Sequence, residues 1–158
     1  MGVADRTAHA FLANEFYTIT DQTRLIEALR QLGNVDNRTV YVERAADVNA
    51  RDLAFFLVRR AEMIADYQKA NSGAITKFVS ANGFPVNILA NGGAIIIAPI
   101  DLLAWSPTPL QALAAVSSGL RADGKDRTVE LRISGSATPN ARRALKGTGW
   151  TVWEEKSN

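Results

Sequence analysis

Val129-Glu130-Leu131-Arg132-Ile133 alternates apolar and charged side chains, and Ser134-Gly135-Ser136-Ala137 follows it. Thr138-Pro139 then opens a short run that closes at Gly147 and Gly149, and Trp150-Thr151-Val152-Trp153 returns to strand composition. Period-two alternation marks a half-buried strand. A threonine followed by proline marks a cap and a first helical position. The stretch therefore predicts strand, helix, strand, which is the unit of a parallel pair with its crossover.

Working outward, Val86 to Ala90 and Ala94 to Ala98 flank Asn91-Gly92-Gly93. These turn residues tolerate positive φ, so the segment predicts a hairpin. Ala94-Ile95-Ile96-Ile97-Ala98 is apolar on both faces and belongs in the middle of a sheet. Pro99 ends it. Ile75 to Ser80 reads as a further strand, and Gly83-Phe84-Pro85 as a bend. A helix is expected from about 108 to 120, started at Ser106-Pro107 or Thr108-Pro109.

In the first half, a helix over 4–14 is expected, peripheral to the rest. Glu15 to Thr20 is rich in aromatic and β-branched residues and reads as a strand. Leu25, Ile26, Leu29 and Leu32 have helical spacing, with a cap at Thr20 or Asp21 and a stop at Gly33. Arg38 to Arg44 reads as a strand with Val40 and Val42 on one face. The longest helix runs from about 50 to 70, capped by Asn49, with Leu53, Phe56, Leu57, Ile64 and Tyr67 as its apolar stripe. The whole, 1–158, is expected to be one α/β (mixed α+β) domain: a mixed sheet of about five or six strands, a central hairpin, and helices packed on it.

Composition narrows the chemistry. The chain has 158 residues and no cysteine, which removes thiol nucleophiles, thiolate metal sites and disulfides. Its net charge is +2, too small to dominate binding to a polyanion. The charge is uneven, however. Arg121 to Lys146 holds seven basic residues and three acidic ones, a local excess of +4. The first residues contain no apolar core after their charges, so no signal peptide is read there and a cytoplasmic location is favoured. No apolar run approaches the ~18 residues of a membrane helix, so no transmembrane segment is expected. His9 is the single histidine and cannot form a histidine metal cluster. No metal site and no cofactor are expected.

Three sets of residues carry functional expectations. The first is apolar. Phe55 and Val58 widen the stripe of the long helix beyond what one core needs, and Trp150 and Trp153 differ in parity along one strand, so they point to opposite faces. Phe55, Val58 and Trp153 are therefore candidates for contact with a protein partner or a second copy. The second set is anionic in its preference. Ser134, Ser136 and Thr138 lie at a helix N-terminus, where free N–H groups favour negative charge, and Arg142 and Arg143 stand close by. A nucleic acid or phosphate ligand is the expectation there. Third, Pro99-Ile100-Asp101 with Glu130-Leu131-Arg132 resembles the restriction-endonuclease-like nucleases. That resemblance implies two carboxylates on a divalent cation and a metal-dependent hydrolase. The chain departs from the family pattern with Arg132 where a lysine belongs, and with a helix between the two strands. No serine–histidine–acid set or phosphate loop is present, so the preferred reading is a non-catalytic binding or assembly module.

Overall fold

The computed structural model describes residues 2–122 and 124–155, apart from the side chains of 108–110. The chain divides into two compact units, Met1–Val79 and Ser80–Asn158. Among the described residues no helix is long and apolar enough to cross a membrane.

The first unit holds α1 (Asp5–Leu12), α2 (Ile19–Gln31), α3 (Thr39–Ala46) and α4 (Arg51–Ala70), and the start of β1 (Ile75–Ala81). Two expected strands are absent, and each for a local reason. Residues 15–20 form a turn and the start of α2. The Thr18 side chain accepts the Asp21 N–H, while the Asp21 carboxylate accepts the Thr18 N–H. This reciprocal pair is a capping box, and it overrides the β-branched composition of Thr18-Ile19-Thr20. Arg38 to Arg44 lies largely in α3, whose buried residues are Tyr41, Val42 and Ala45. Their spacing is helical, and packing of that face decides against the strand suggested by composition. The long helix lies where expected, but Ala50 rather than Asn49 is its N-cap, with no side-chain bond.

The core of this unit is mostly aliphatic, with two aromatic pairs set in it. Phe11 and Tyr17 pack edge to face at 5.2 Å, as do Tyr41 and Phe78 at 5.8 Å. The Tyr41 hydroxyl donates to the Leu57 carbonyl at 2.7 Å. Burial pushes its pKa up to about 12, so it is a neutral donor. The fully buried Arg60 guanidinium lies 5.5 Å from the Tyr41 ring centroid, and burial pulls its pKa down.

The second unit holds β2 (Phe84–Leu89), β3 (Ala94–Ala98), β4 (Leu102–Leu103), α5 (Pro107–Arg121), β5 (Val129–Ile133), β6 (Ser136–Ala137), α6 (Pro139–Gly147) and β7 (Trp150–Glu154). The boundary between units falls inside β1. The sheet is mixed and five-stranded, in the order β1-β2-β3-β5-β7, so the doubly apolar β3 is central as expected. β2 and β3 are antiparallel, with Asn87 opposite Ile95. β3–β5 and β5–β7 are parallel, in register from Ala94↔Val129 to Ala98↔Ile133 and from Val129↔Trp150 to Ile133↔Glu154. The fold class expected from the sequence is thus found. The bend is shifted: Asn82 and Gly83 both have positive φ and make the turn, while Pro85 lies within β2.

Beyond Pro99 the pairing of β3 with β5 continues as a separate two-stranded parallel ladder, β4–β6. Gly135 and Ser136 donate their N–H groups to the carbonyls of Ile100 and Asp101, each at 2.9 Å. Strands of two residues leave no periodicity to read, and Ser136 and Ala137 were expected as loop.

Asn87 is fully buried, and neither its side-chain oxygen nor its nitrogen has a hydrogen-bond partner. An unpartnered buried amide costs about 1–3 kcal/mol. Asn87→Leu, of similar volume, is expected to raise the denaturation midpoint by the equivalent of about 1 kcal/mol. A lower midpoint would show that the amide has a partner.

Candidate functional site

The strand–helix–strand unit Val129–Glu154 gathers most of the expected site residues. β5 alternates buried Val129, Leu131 and Ile133 with half-buried Glu130 and Arg132. In a parallel ladder, residues in register share a face. Arg132 is in register with Trp153, and its guanidinium carbon lies 4.9 Å from the Trp153 ring centroid. Glu130, two residues before Arg132 on the same face, pairs with that guanidinium. Acid, base and indole therefore form one row, in which the cation stacks on the aromatic ring. Trp153 is 55% exposed and Trp150 only 5%, which is the division that their parity implies.

Phe55 and Val58 do not form one surface. Phe55 is 56% exposed on α4, but Val58 is completely buried and offers nothing to a partner. Leu12 and Ile19, which the sequence did not single out, are exposed as well.

Of the residues expected to take an anion, Thr138, Arg142 and Arg143 have partners within the chain. Thr138 caps α6, its hydroxyl accepting the Ala141 N–H at 3.3 Å. The carboxylate of Glu154 accepts the N–H of Ala137 and the N–H groups of the Arg142 guanidinium, at 2.8 and 3.1 Å to one oxygen and 2.9 and 3.2 Å to the other. The Arg142 guanidinium first, then the Ala137 N–H, holds the Glu154 carboxyl below its ordinary value. Ser134 is half-buried and Ser136 exposed. Arg143 donates to the Asn140 side-chain oxygen at 2.6 Å. Glu154 was missed by the sequence reading. Its signal was topological: a strand following a crossover helix ends beside that helix's N-terminus.

The carboxylates of the nuclease resemblance belong to different ladders. Glu130 is opposite Ile95, whereas the backbone of Asp101 is bonded to Ser136 six residues further along. Among the described residues no group of three histidines, cysteines or acids stands close enough to hold a metal ion.

A second basic feature lies at the other end of β5 and β7. A cavity of about 330 Å³ is lined by Arg121, Lys125, Arg127, Thr128, Thr148 and Trp150 among others. It sits where α5 and α6 end, and Arg127 donates to the Leu120 carbonyl at 3.0 Å. Cations at helix C-termini complement the partial negative charge there. No family model, curated protein or solved structure matches this chain.

Proposed function

We propose that this chain is a non-catalytic binding module acting through protein–protein contact, with Trp153 at the centre of its contact surface. One observation carries the reading: a large aromatic side chain stands exposed on the outer strand of the sheet, held by Arg132, which is itself fixed by Glu130. Tryptophan and arginine dominate binding energies at interfaces, and a side chain already held in place loses little entropy on binding. The phosphate reading has less support. Arg142 and the Ala137 N–H already hold a carboxylate, and the basic cavity faces two helix C-termini.

The test is a selection of displayed random protein fragments on the immobilised chain. Fragments should be enriched whose affinity falls about tenfold or more with Trp153→Ala, the ordinary size of a hot-spot loss. The thermal midpoint of that variant should change little, since the side chain is exposed. Enrichment of no fragment, or of fragments indifferent to Trp153, would overturn the proposal.

A further inference from the structure

We infer that Asn91 is a site of spontaneous covalent modification, at which the side-chain amide is exchanged for a carboxylate by ring closure onto the backbone nitrogen of Gly92. Asparagine is a thermolabile residue. The chemistry needs only water. The Gly92 nitrogen, losing its proton, bonds to Cγ of Asn91, the Cγ–Nδ2 bond breaks, and Nδ2 leaves as ammonia. Water then opens the five-membered imide at either carbonyl. The product is aspartate, or its isomer in which the main chain runs through Cγ. Nothing is oxidised or reduced.

The sequence offers several such sites, and the structure separates them. Attack is least hindered where the next residue is small, which leaves Asn71-Ser72, Asn82-Gly83 and Asn91-Gly92. All three asparagines are exposed. Two are tied by the nitrogen that has to leave: Asn71 Nδ2 donates to the Tyr67 carbonyl at 2.8 Å, and Asn82 Nδ2 to the Ala115 carbonyl at 2.7 Å. Donation from Nδ2 pushes electron density toward Cγ and makes it a poorer target.

Asn91 is held by the opposite atom. Its Oδ1 accepts the Gly93 N–H at 2.9 Å, and among the described residues its Nδ2 donates no hydrogen bond. The Oδ1 bond closes a small ring that includes both Cγ of Asn91 and the Gly92 nitrogen, so the attacked and attacking atoms are kept near each other. It also draws density from Cγ, and it is aimed at the oxygen that gathers negative charge during the attack. A Cβ at Gly92 would meet nothing within 4 Å, so the space beside the ring is open to water. One contact opposes the reaction: the Gly92 N–H donates to the Leu89 carbonyl at 2.9 Å and must let go. The Gly83 N–H is restrained too, donating to the Ser80 hydroxyl at 3.2 Å, so this cost falls on both glycines.

The turn joins β2 to the central β3, and the Leu89 N–H donates to the Gly93 carbonyl at 2.8 Å. Aspartate at 91 keeps an oxygen for the Gly93 N–H. The isomer lengthens the main chain between Leu89 and Gly93 and spoils that match, so the hairpin loosens as the chain ages.

The test keeps the purified chain folded in warm, mildly alkaline buffer and, in parallel, unfolded in guanidinium chloride. Conversion at each asparagine is followed by peptide mass spectrometry, with an isoaspartyl methyltransferase to mark the isomer. In the folded chain Asn91 should convert about fivefold or more faster than Asn82, the factor that one net hydrogen bond makes in a rate. In denaturant the two Asn-Gly sites should convert at similar rates. Asn91→Asp should keep the parental urea midpoint, and the isomerised fraction, separated by chromatography, should fall below it. Equal folded rates at the two sites, or a faster Asn82, would overturn the inference. So would an Asn91 that stays intact in the folded chain while the unfolded chain is converted. A preference for Asn91 that persists in denaturant would overturn its basis in the turn, and an isomerised fraction as stable as the parent would overturn the loosening of the hairpin.

Discussion

Gly135→Ala should be among the most destabilising single-methyl changes in this chain. A Cβ at position 135 would lie 1.9 Å from the Asp101 carbonyl oxygen, 2.5 Å from its carbon and 2.6 Å from its Cα. All three are backbone atoms, so no side chain can turn aside. To admit the methyl group, the β4–β6 ladder must part from its neighbour. That threatens the bonds from Gly135 to Ile100, Ser136 to Asp101 and Thr138 to Leu103, each 2.9 Å long. A net value of about 1 kcal/mol per bond, with the strain of overpacking, gives a loss of about 3–5 kcal/mol. Against a typical total of ~5–15 kcal/mol this is a large fraction. Urea denaturation should show a much lower midpoint. Gly147→Ala is the matched control, since a Cβ there meets nothing within 4 Å and the φ is not left-handed. It should be neutral, or stabilising by up to ~1 kcal/mol. A Gly135→Ala midpoint within about 0.5 kcal/mol of the parent would mean that the ladder does not constrain the fold.

The second large effect is expected at Asp21. Its carboxylate accepts the Thr18 N–H at 3.0 Å, the Thr18 hydroxyl at 2.6 Å and the Arg51 guanidinium at 2.8 Å. Arg51 also donates to the Phe16 carbonyl at 2.7 Å. One buried acid thus closes the first turn of α2 and ties it to the first turn of α4. Loss of a cap costs about 1–2 kcal/mol, and the charged hydrogen bonds add to it. Arg51 is half exposed, so its ion pair contributes little more. Asp21→Ala should lower stability at neutral pH by about 2–3 kcal/mol.

The same site sets a pH dependence. The Thr18 hydroxyl first, then the Thr18 N–H and Arg51, holds the Asp21 carboxyl below its ordinary value of 3.8, against the opposing effect of burial. A depressed folded pKa means that the unfolded chain binds the proton more readily. The contribution of Asp21 is therefore complete above about pH 4 and fades as the pH falls through the depressed folded value. Asp21→Asn should show a smaller decline than the parent over that acid range, measured as unfolding free energy against pH. Equal slopes would show that Asp21 titrates alike in the folded and unfolded chains.

Much of the second unit was legible because its strands carry their own signals. β3 is apolar on both faces, β5 alternates, and Asn91-Gly92-Gly93 fixes the hairpin between β2 and β3. The first unit was less legible where composition and packing disagree. Thr39-Val40-Tyr41-Val42 looks like a strand residue by residue, and only the spacing of Tyr41, Val42 and Ala45 reveals the helix face. At the site, the parity of Trp150 and Trp153 could be read directly. The burial of Val58 could not, since a wide apolar stripe looks the same whether a neighbouring helix or a partner covers it. The engagement of Arg142 was hidden because Glu154 reaches it only through the return of the chain after α6.

The central position of β3 has a consequence for synthesis. Its antiparallel neighbour β2 is already made when β3 emerges, but its parallel neighbour begins at Val129, about 35 residues later. Until then Ala94-Ile95-Ile96-Ile97-Ala98 has an open side and no charge to keep it apart from other nascent chains. Chains ended prematurely before β5 would carry that greasy ribbon permanently uncovered, and aggregation rather than slow refolding is their expected fate.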